Sequence, residues 1–144
     1  MNIQPYIFFE SNCAEAMRFY EKALRGKLEM MMTHAEMPGF DAAKFPPGTA
    51  ERIMHARLVV DGQVLMASDN GSGMPYEGMK GFTVTLTYPD VAEGKRVFEA
   101  LSEGGQVHMP FGKTFWAEAF GMTVDRFGTP WMVNAGLSDP TSST

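Results

Sequence analysis

The sequence predicts an α+β protein made of two βαβββ modules, and three observations support this. An amphipathic helix follows an apolar strand twice, and several short strands follow each helix. The two predicted helix caps, Asn12 and Asp90, lie 78 residues apart, and the glycines that end the helices, Gly26 and Gly104, have the same spacing. A pattern that recurs at a fixed interval indicates matched structural units.

Length and composition favour one globular domain. The chain has 144 residues, of which 44% are hydrophobic and 20% charged, as is usual for a folded domain. We expect a single domain over 1–144, with modules at about 1–70 and 79–136 and a tail at 137–144. The net charge of −5 argues against nucleic acid as a partner, because binding to phosphates needs a basic face.

The first module begins with the β-rich segment 3–9, which predicts a strand. Asn12 and Glu15 have the spacing of a capping box, and Gly26 is expected to end the helix. Asp61-Gly62 predicts a hairpin turn. The remaining predicted strands are 27–34, 51–60 and 63–69.

The second module repeats this order. Strict alternation predicts a strand at 81–88, Asp90 is expected to cap a helix with Glu93 as its box partner, and Gly104-Gly105 end that helix. The tight turn RFGT precedes the last strand. The predicted strands after the helix are 106–109, 115–124 and 130–135.

Two segments, 35–50 and 70–80, are rich in Gly and Pro and longer than simple connections. Loops of this length are often lids over a site or mobile segments.

The periodicity of each element separates a helix-facing side from an open side. Cys13, Ala16, Met17, Tyr20 and Leu24 form the apolar face of the first helix. The predicted helix-facing strand residues are Ile3, Ile7, Phe9, Met54, Ala56, Leu58, Leu65, Ala67, Phe82, Val84, Leu86, Trp131 and Val133. The open side is expected to carry Gln4, Tyr6, Phe8, His55, Arg57, Val64, Met66, Ser68, Thr83, Thr85, Thr87, Met132 and Asn134. Such aromatic, thioether and hydroxyl groups suit a small, partly apolar ligand.

Three segments carry a resemblance to a known family: PYIFFESNCAEAMRFYEKAL (5–24), MHARLVVDGQVLMASD (54–69) and FWAEAFGMTVDRFGTPWMVN (115–134). The chain resembles the PhnB-like branch of the vicinal-oxygen-chelate superfamily, which includes glyoxalase I, extradiol dioxygenases and bleomycin-resistance proteins. The resemblance implies a glyoxalase/bleomycin-resistance-like fold with a curved mixed sheet, a central cleft and a homodimer.

Metal-using members of this superfamily place His, Glu or Gln on the first and last strand of each module. The corresponding positions here are Gln4, Met66, Thr83 and Met132, and a shift in register would give Ser68 and Asn134 instead. Thioether, hydroxyl and amide groups do not supply the donors that a hard or borderline divalent ion prefers. We therefore predict no cofactor and no metal ligands, and a divalent metal is disfavoured.

Two residues are candidates for acid–base chemistry, each with a structural alternative. His55 could accept a proton near neutral pH, or it could be a structural histidine bonded to Tyr6, Arg57 or a carbonyl. Glu118 could act as an acid or base, or be an exposed carboxylate. Arg57 could orient an anionic ligand or form a salt bridge.

Other candidates are weaker. Trp116 and Phe120 could stack on a ligand or belong to the core or a dimer interface, and alternation does not decide which side they face. Cys13 lies at a helix N-terminus, but its position on the apolar face predicts a packed, inert thiol. His34 and His108 are expected to be surface residues.

We interpret the chain as a protein that binds or sequesters an unidentified small molecule. The predicted ligand-binding residues are Gln4, Tyr6, Phe8, His55, Arg57, Met66, Ser68, Thr83, Thr85, Trp116, Met132 and Asn134. The alternatives are a lyase- or dioxygenase-type enzyme using His55 and Glu118, and a protein-interaction module. PhnB-like sequences are often described as ubiquinone-pathway methyltransferases, but the chain shows no glycine-rich turn after an early strand.

The cellular setting is predicted from absences in the sequence. The single cysteine and the lack of a signal-peptide pattern favour the cytoplasm, and no apolar run approaches the roughly 18 residues of a spanning helix.

Overall fold

The computed structural model describes residues 1–71 and 73–137. These residues fall into two compact units, Met1–Gly78 and a second that begins at Met79. Each unit runs β-α-β-β-β along the chain and forms its own four-stranded mixed sheet. This repeated order confirms the α+β class and the two predicted βαβββ modules.

The first unit has its strands in the order β1-β4-β3-β2. The β1–β4 pair is parallel and the other two pairs are antiparallel. Two 3₁₀ turns, His34–Glu36 and Ala42–Lys44, lie in the long loop before β3. The main elements are β1 (Tyr6–Phe9), α1 (Cys13–Leu24), β2 (Lys27–Thr33), β3 (Ile53–Val60) and β4 (Gln63–Asp69).

The second unit has the equivalent order β5-β8-β7-β6, again with one parallel pair, β5–β8. Its elements are β5 (Val84–Tyr88), α2 (Val91–Ser102), β6 (Gln106–Gly112), β7 (Ala117–Val124) and β8 (Pro130–Leu137). Neither α1 nor α2 is long and apolar enough to cross a membrane, and the same holds for every helix among the described residues.

Each helix covers one face of its own sheet. All five predicted apolar residues of α1 are buried, and so are the inward residues of the strands beneath it, apart from a half-buried Met54. In the second unit, α2 contacts β8, and Val97, Phe98 and Leu101 of α2 are buried, as are Trp131 and Val133 of β8. The predicted alternation is therefore correct in the middle of the sheets, and no helix among the described residues of the same unit covers the opposite face of either sheet. The buried strand residues of the first unit are Ile7, Phe9, Ala56, Leu58, Leu65 and Ala67.

The predicted start of the first strand is wrong. β1 begins at Tyr6, so Gln4 lies outside it, and Ile3, predicted to face the helix, is 90% exposed. Pro5 has no N–H to donate to a strand ladder, which confines proline to the edge of a strand.

The predicted start of the fifth strand is also wrong. β5 begins at Val84, which pairs with Trp131, so Thr83 and Phe82 precede the ladder. Gly81 has a φ of 74°, a conformation that interrupts an extended chain. Phe82 is consequently 44% exposed and does not pack under a helix as predicted.

The two helices begin differently. Asp90 caps α2 as predicted, because its carboxylate accepts hydrogen bonds from the N–H groups of Ala92 and Glu93. Asn12 makes no side-chain cap bond, so the box predicted for α1 is wrong. The Cys13 N–H instead donates to Asp69 Oδ1 at 3.0 Å, and Asp69 comes from the end of β4.

Gly26 has a different role from the one predicted. The left-handed residue after α1 is Arg25, with φ 54°, and the Gly26 N–H donates to the Glu21 carbonyl. A Cβ on Gly26 would lie 2.6 Å from Val60 Cγ2. Glycine is required here because β3 passes close by.

The Cys13 thiol is expected to be inert in the folded protein. Burial, and secondarily the negative charge of Asp69, raises the pKa of Cys13 from 9.0 to about 12. A thiol of this pKa is protonated at pH 8, whereas the thiolate is the reactive form. Ellman's reagent should label the native chain at pH 8 very slowly and the urea-unfolded chain at once. Rapid labelling without denaturant would contradict this.

The same pKa shift gives stability a definite pH dependence. The folded chain favours the neutral thiol, so the contribution of Cys13 is complete below pH 9 and falls as the pH rises from 9 towards 12. The slope approaches about 1.4 kcal/mol per pH unit. Cys13→Ser, which cannot ionise in this range, should flatten the alkaline part of the unfolding curve.

Candidate functional site

The open face of the first sheet carries most of the predicted ligand-binding residues of its unit. Tyr6 pairs with Met66, and Met66 pairs with Arg57, so the three side chains form one row across β1, β4 and β3. Phe8 pairs with Ser68 in the next row, and His55 lies two residues from Arg57 on the same side of β3. We call Tyr6, Phe8, His55, Arg57, Met66 and Ser68 the first open face.

Tyr6 links the aromatic groups of this face. Its hydroxyl lies 3.1 Å from His55 Nδ1, and its ring stacks on the imidazole with centroids 5.7 Å apart. The Phe8 ring lies 5.1 Å from the Tyr6 ring, tilted by 42°. The structure therefore gives His55 the Tyr6 partner that its structural alternative requires. That contact also fixes the position of a hydroxyl and an imidazole next to each other.

One polar side chain of this face, Arg57, has a partner within the protein. Arg57 Nε donates to Glu29 Oε2 at 3.2 Å, and both side chains are more than 40% exposed. This salt bridge is the alternative that the sequence analysis gave for Arg57. Ser68 is only 6% exposed and lies deeper than its neighbours.

The second sheet has an equivalent open face. Thr85, Met132, Met122 and Met109 are successive partners across β5, β8, β7 and β6. Three of these four side chains are thioethers, so this row is flexible, polarisable and lacks charge.

Trp116 and Phe120 are placed by their contacts with Asn134. The Trp116 Nε1–H donates to Asn134 Oδ1 at 3.2 Å, and the Trp116 ring meets the Phe120 ring edge-on at 5.2 Å. Phe120 pairs with Asn134 across β7 and β8. Both aromatic residues therefore lie on the open side of the second sheet, a question that alternation did not decide. Phe120 is buried, whereas Trp116 is 39% exposed.

Several predicted residues lie away from these rows. Gln4 and Thr83 precede their strands. Glu118 is exposed and lies two residues before Phe120 on β7, so it is on the open side of the second sheet but outside the row of Thr85 and Met132. His108 is exposed as predicted, but His34 is half-buried, with its ring 6.4–6.5 Å from those of Phe40 and Phe45.

The strand positions at which the resemblance implied metal ligands carry side chains that do not suit a divalent ion. The β1 residue beside Met66 is Tyr6, and the β5 residue beside Met132 is Thr85. Two thioethers, a phenol and a hydroxyl do not match the His and carboxylate donors of divalent ions. Within 1–71 and 73–137, no three His, Cys, Asp or Glu side chains form a group able to hold a metal.

Sequence reasoning missed two buried carboxylates that position the open faces. Asp69 accepts N–H bonds from Cys13 and, at 2.7 Å, from Ile53, and so joins β4 to α1 and β3. Asp125 accepts from the Phe127 and Thr129 amides and from the Trp131 indole. A charged residue at the end of an apolar strand, or directly after it, is the signal that could have indicated each of them.

Comparison with known proteins agrees with this fold. The family model described as 3-demethylubiquinone-9 3-methyltransferase matches residues 1–134. Protein YjdN of Escherichia coli (strain K12) is 36% identical over an alignment of 149 positions, which covers 98% of this chain and 99% of that protein.

Three solved structures are similar to this chain over nearly its whole length. The crystal structure of protein PA1353 from Pseudomonas aeruginosa has 48% identity and a TM-score of 0.86, covering 94% of this chain and 97% of that one. A putative 3-demethylubiquinone-9 3-methyltransferase, PhnB protein, from Bacillus cereus has 23% identity and a TM-score of 0.76, with coverages of 94% and 99%. The fold alone is shared with the fosfomycin resistance protein FosX from Mesorhizobium loti, at 8% identity, a TM-score of 0.63 and coverages of 98% and 94%. The chain therefore belongs to the PhnB-like family, whose model is described as 3-demethylubiquinone-9 3-methyltransferase.

Proposed function

We propose that the protein binds and sequesters a small, partly apolar molecule, without an obligatory metal, using the first open face. The observation that carries this proposal is the exposed aromatic group made of Tyr6, Phe8 and His55. Tyr6 is 40% exposed and Phe8 53% exposed, although both lie in β1 and are paired with residues of β4. Apolar area kept exposed on an ordered surface is typical of a binding site.

Stacking supplies the affinity in this proposal. The Tyr6 ring is held in place by the hydrogen bond to His55 and by the contact with Phe8. Little side-chain entropy is therefore lost when a flat ligand stacks on this ring. Aromatic pairs in such offset or tilted arrangements contribute about 0.5–1.5 kcal/mol beyond their buried area. The thioether of Met66, adjacent in the same row, can adapt to the outline of the ligand.

Charge selects the kind of ligand. The Arg57 guanidinium already has a carboxylate partner in Glu29, so this face offers little unpaired charge. An uncharged or weakly anionic molecule fits better than a polyanion. Thr85, Trp116, Met132 and Asn134 lie on the open side of the second sheet, which we call the second open face. They offer a similar mixture of aromatic, thioether and hydrogen-bonding groups, and we propose this face as a separate binding surface of the second unit.

The proposal predicts a specific effect of Tyr6. Tyr6→Ala should weaken binding of a planar aromatic hit by roughly tenfold, because one stacking surface is lost. Tyr6→Phe keeps the ring and should change the dissociation constant less than about threefold. Titration calorimetry on hits from a thermal-shift screen measures both. Equal affinities for wild type and Tyr6→Ala would contradict the proposal.

Acid–base catalysis is the second candidate, favoured by the hydrogen bond between the Tyr6 hydroxyl and His55 Nδ1. A hydroxyl paired with an imidazole can pass a proton near neutral pH. The two candidates separate at His55→Gln, which should retain binding in both cases but abolish turnover only if His55 is a catalytic residue.

Methyl transfer is not part of the proposal, although the family description names it. Each sheet has one parallel and two antiparallel pairs, unlike the mainly parallel sheet in which dinucleotide-type cofactors bind at a glycine-rich turn. The homodimer and the cytoplasmic location stay predictions.

A further inference from the structure

The hydrogen bond between Tyr6 and His55 determines which imidazole nitrogen of the first open face carries a hydrogen. The Tyr6 hydroxyl lies 3.1 Å from His55 Nδ1, and Nδ1 is the one acceptor that the described residues offer to this hydroxyl. A neutral imidazole has one N–H donor and one acceptor nitrogen, so a hydroxyl that donates to Nδ1 places the ring hydrogen on Nε2. The reverse arrangement would leave the phenol hydrogen without a partner within the described chain. His55 therefore presents an Nε2–H donor.

The Nε2 atom of His55 is accessible to a ligand. Within residues 1–71 and 73–137, no hydrogen bond occupies Nε2, and the buried side-chain nitrogen or oxygen that lacks a partner is Arg52 Nε. An unoccupied Nε2 that is not among the buried atoms must reach the surface. The ring itself is half-buried and stacked on Tyr6, with centroids 5.7 Å apart. The donor is therefore both accessible and fixed in position.

The side chains next to His55 offer further donors. Arg57 is bound to Glu29 through Nε, and a guanidinium group carries additional N–H groups and no acceptor. Continuing the register of β3 and β4 by one pair places Ser68 opposite His55. Its hydroxyl makes no hydrogen bond within the described residues and is not among the buried atoms that lack one. Donors therefore predominate around the imidazole.

We propose that the ligand of the first open face is an uncharged aromatic carbonyl compound of the aryl ketone class, an inference that rests on the proposed function. The ligand ring stacks on Tyr6, and its carbonyl oxygen accepts the hydrogen bond from His55 Nε2–H. A carbonyl oxygen has two lone pairs, so a second donor such as the Ser68 hydroxyl can bind the same atom. A ligand with only an N–H or O–H group at this place would bring two donors together, and the face selects against it.

Two probes of the same shape test the carbonyl assignment. Acetophenone carries the carbonyl group, and α-methylstyrene replaces its oxygen by a methylene group that cannot accept a hydrogen bond. Because water also solvates the carbonyl, the informative quantity is the ratio of the two dissociation constants, compared between variants. NMR shift mapping measures each constant and shows where the probe binds.

Three variants give the expected pattern. His55→Phe keeps a ring beside Tyr6 but has no N–H, and it should shift the ratio about fivefold against acetophenone, as expected for the loss of one hydrogen bond. His55→Gln keeps an N–H donor and should shift the ratio less than about twofold. His108→Phe is the matched control, because His108 is an exposed residue of β6 in the second unit, and it should leave the ratio unchanged.

The position of the ring hydrogen is measured independently of any ligand. Long-range ¹H–¹⁵N correlation at pH 8, at which a free imidazole is neutral, shows which nitrogen carries it. We expect Nε2–H in the wild-type chain and a mixture of both forms in Tyr6→Phe, which lacks the hydroxyl. A wild-type His55 that carries its hydrogen on Nδ1 would overturn the proposal.

The outcomes separate this inference from the proposed function. If both probes shift the signals of Tyr6 and Phe8 but the ratio is the same in wild type and His55→Phe, the carbonyl assignment is wrong and stacking on Tyr6 stands. If neither probe shifts these signals, both proposals are overturned.

Discussion

Replacing Asp69 by Ala is expected to lower the free energy of unfolding by about 4 kcal/mol, because two buried N–H groups lose a charged acceptor. Cys13 is fully buried and Ile53 5% exposed, so water does not replace the carboxylate at either amide. The loss should also loosen the junction of α1, β3 and β4, which aligns Tyr6 with His55. Urea unfolding followed by circular dichroism measures the change.

Asp90→Ala is the matched control for this prediction. Asp90 also accepts two amide hydrogen bonds at the start of a helix, but it is exposed. Water can take over its role, and the expected loss is about 1 kcal/mol. If Asp69→Ala is no more destabilising than Asp90→Ala, then burial does not make the difference argued here.

Replacing Asp125 by Ala is expected to destabilise the chain by about 5 kcal/mol, since three donors lose their acceptor. Two are amides of the turn into β8, and the third is the Trp131 indole, 2.8 Å from Oδ2. Trp131 is 1% exposed and directly precedes Met132 of the second open face. Loss of the Asp125 carboxylate should therefore also disturb the position of Met132.

Fluorescence can follow this site selectively. The chain has two tryptophans, so Trp131 is the one that remains in a Trp116→Phe background. Asp125→Asn keeps one acceptor oxygen and should cost about half as much as Asp125→Ala. A wild-type unfolding midpoint for Asp125→Ala would show that the turn holds Trp131 without this carboxylate.

The sequence predicted what depends on local periodicity. The apolar face of α1 follows from 3.6-residue spacing, and the two faces of β3 and β4 follow from alternation. Each of these spacings places the apolar residues of its element on the side that is buried. The hairpin at Asp61-Gly62 was equally predictable, since φ values of 49° and 74° are those that Asp-Gly tolerates.

The sequence did not predict what depends on partners far along the chain. The cap of α1 comes from Asp69, 56 residues away, and no local window reveals it. The Tyr6–His55 bond likewise spans 49 residues. Gln4 was assigned to a strand from composition and Thr83 from alternation, whereas the parallel pairing with β4 and β8 sets where those strands begin.

Ligand binding to chelator-treated protein, with and without added Zn²⁺, Ni²⁺, Mn²⁺ or Fe²⁺, tests the central claim most directly. NMR shift mapping reports both the affinity and the place. We expect shifts at Tyr6, Phe8, His55 and Met66, and an affinity that changes less than about twofold when an ion is added. Binding that appears only with a stoichiometric ion held by His or carboxylate side chains of this chain would contradict the account.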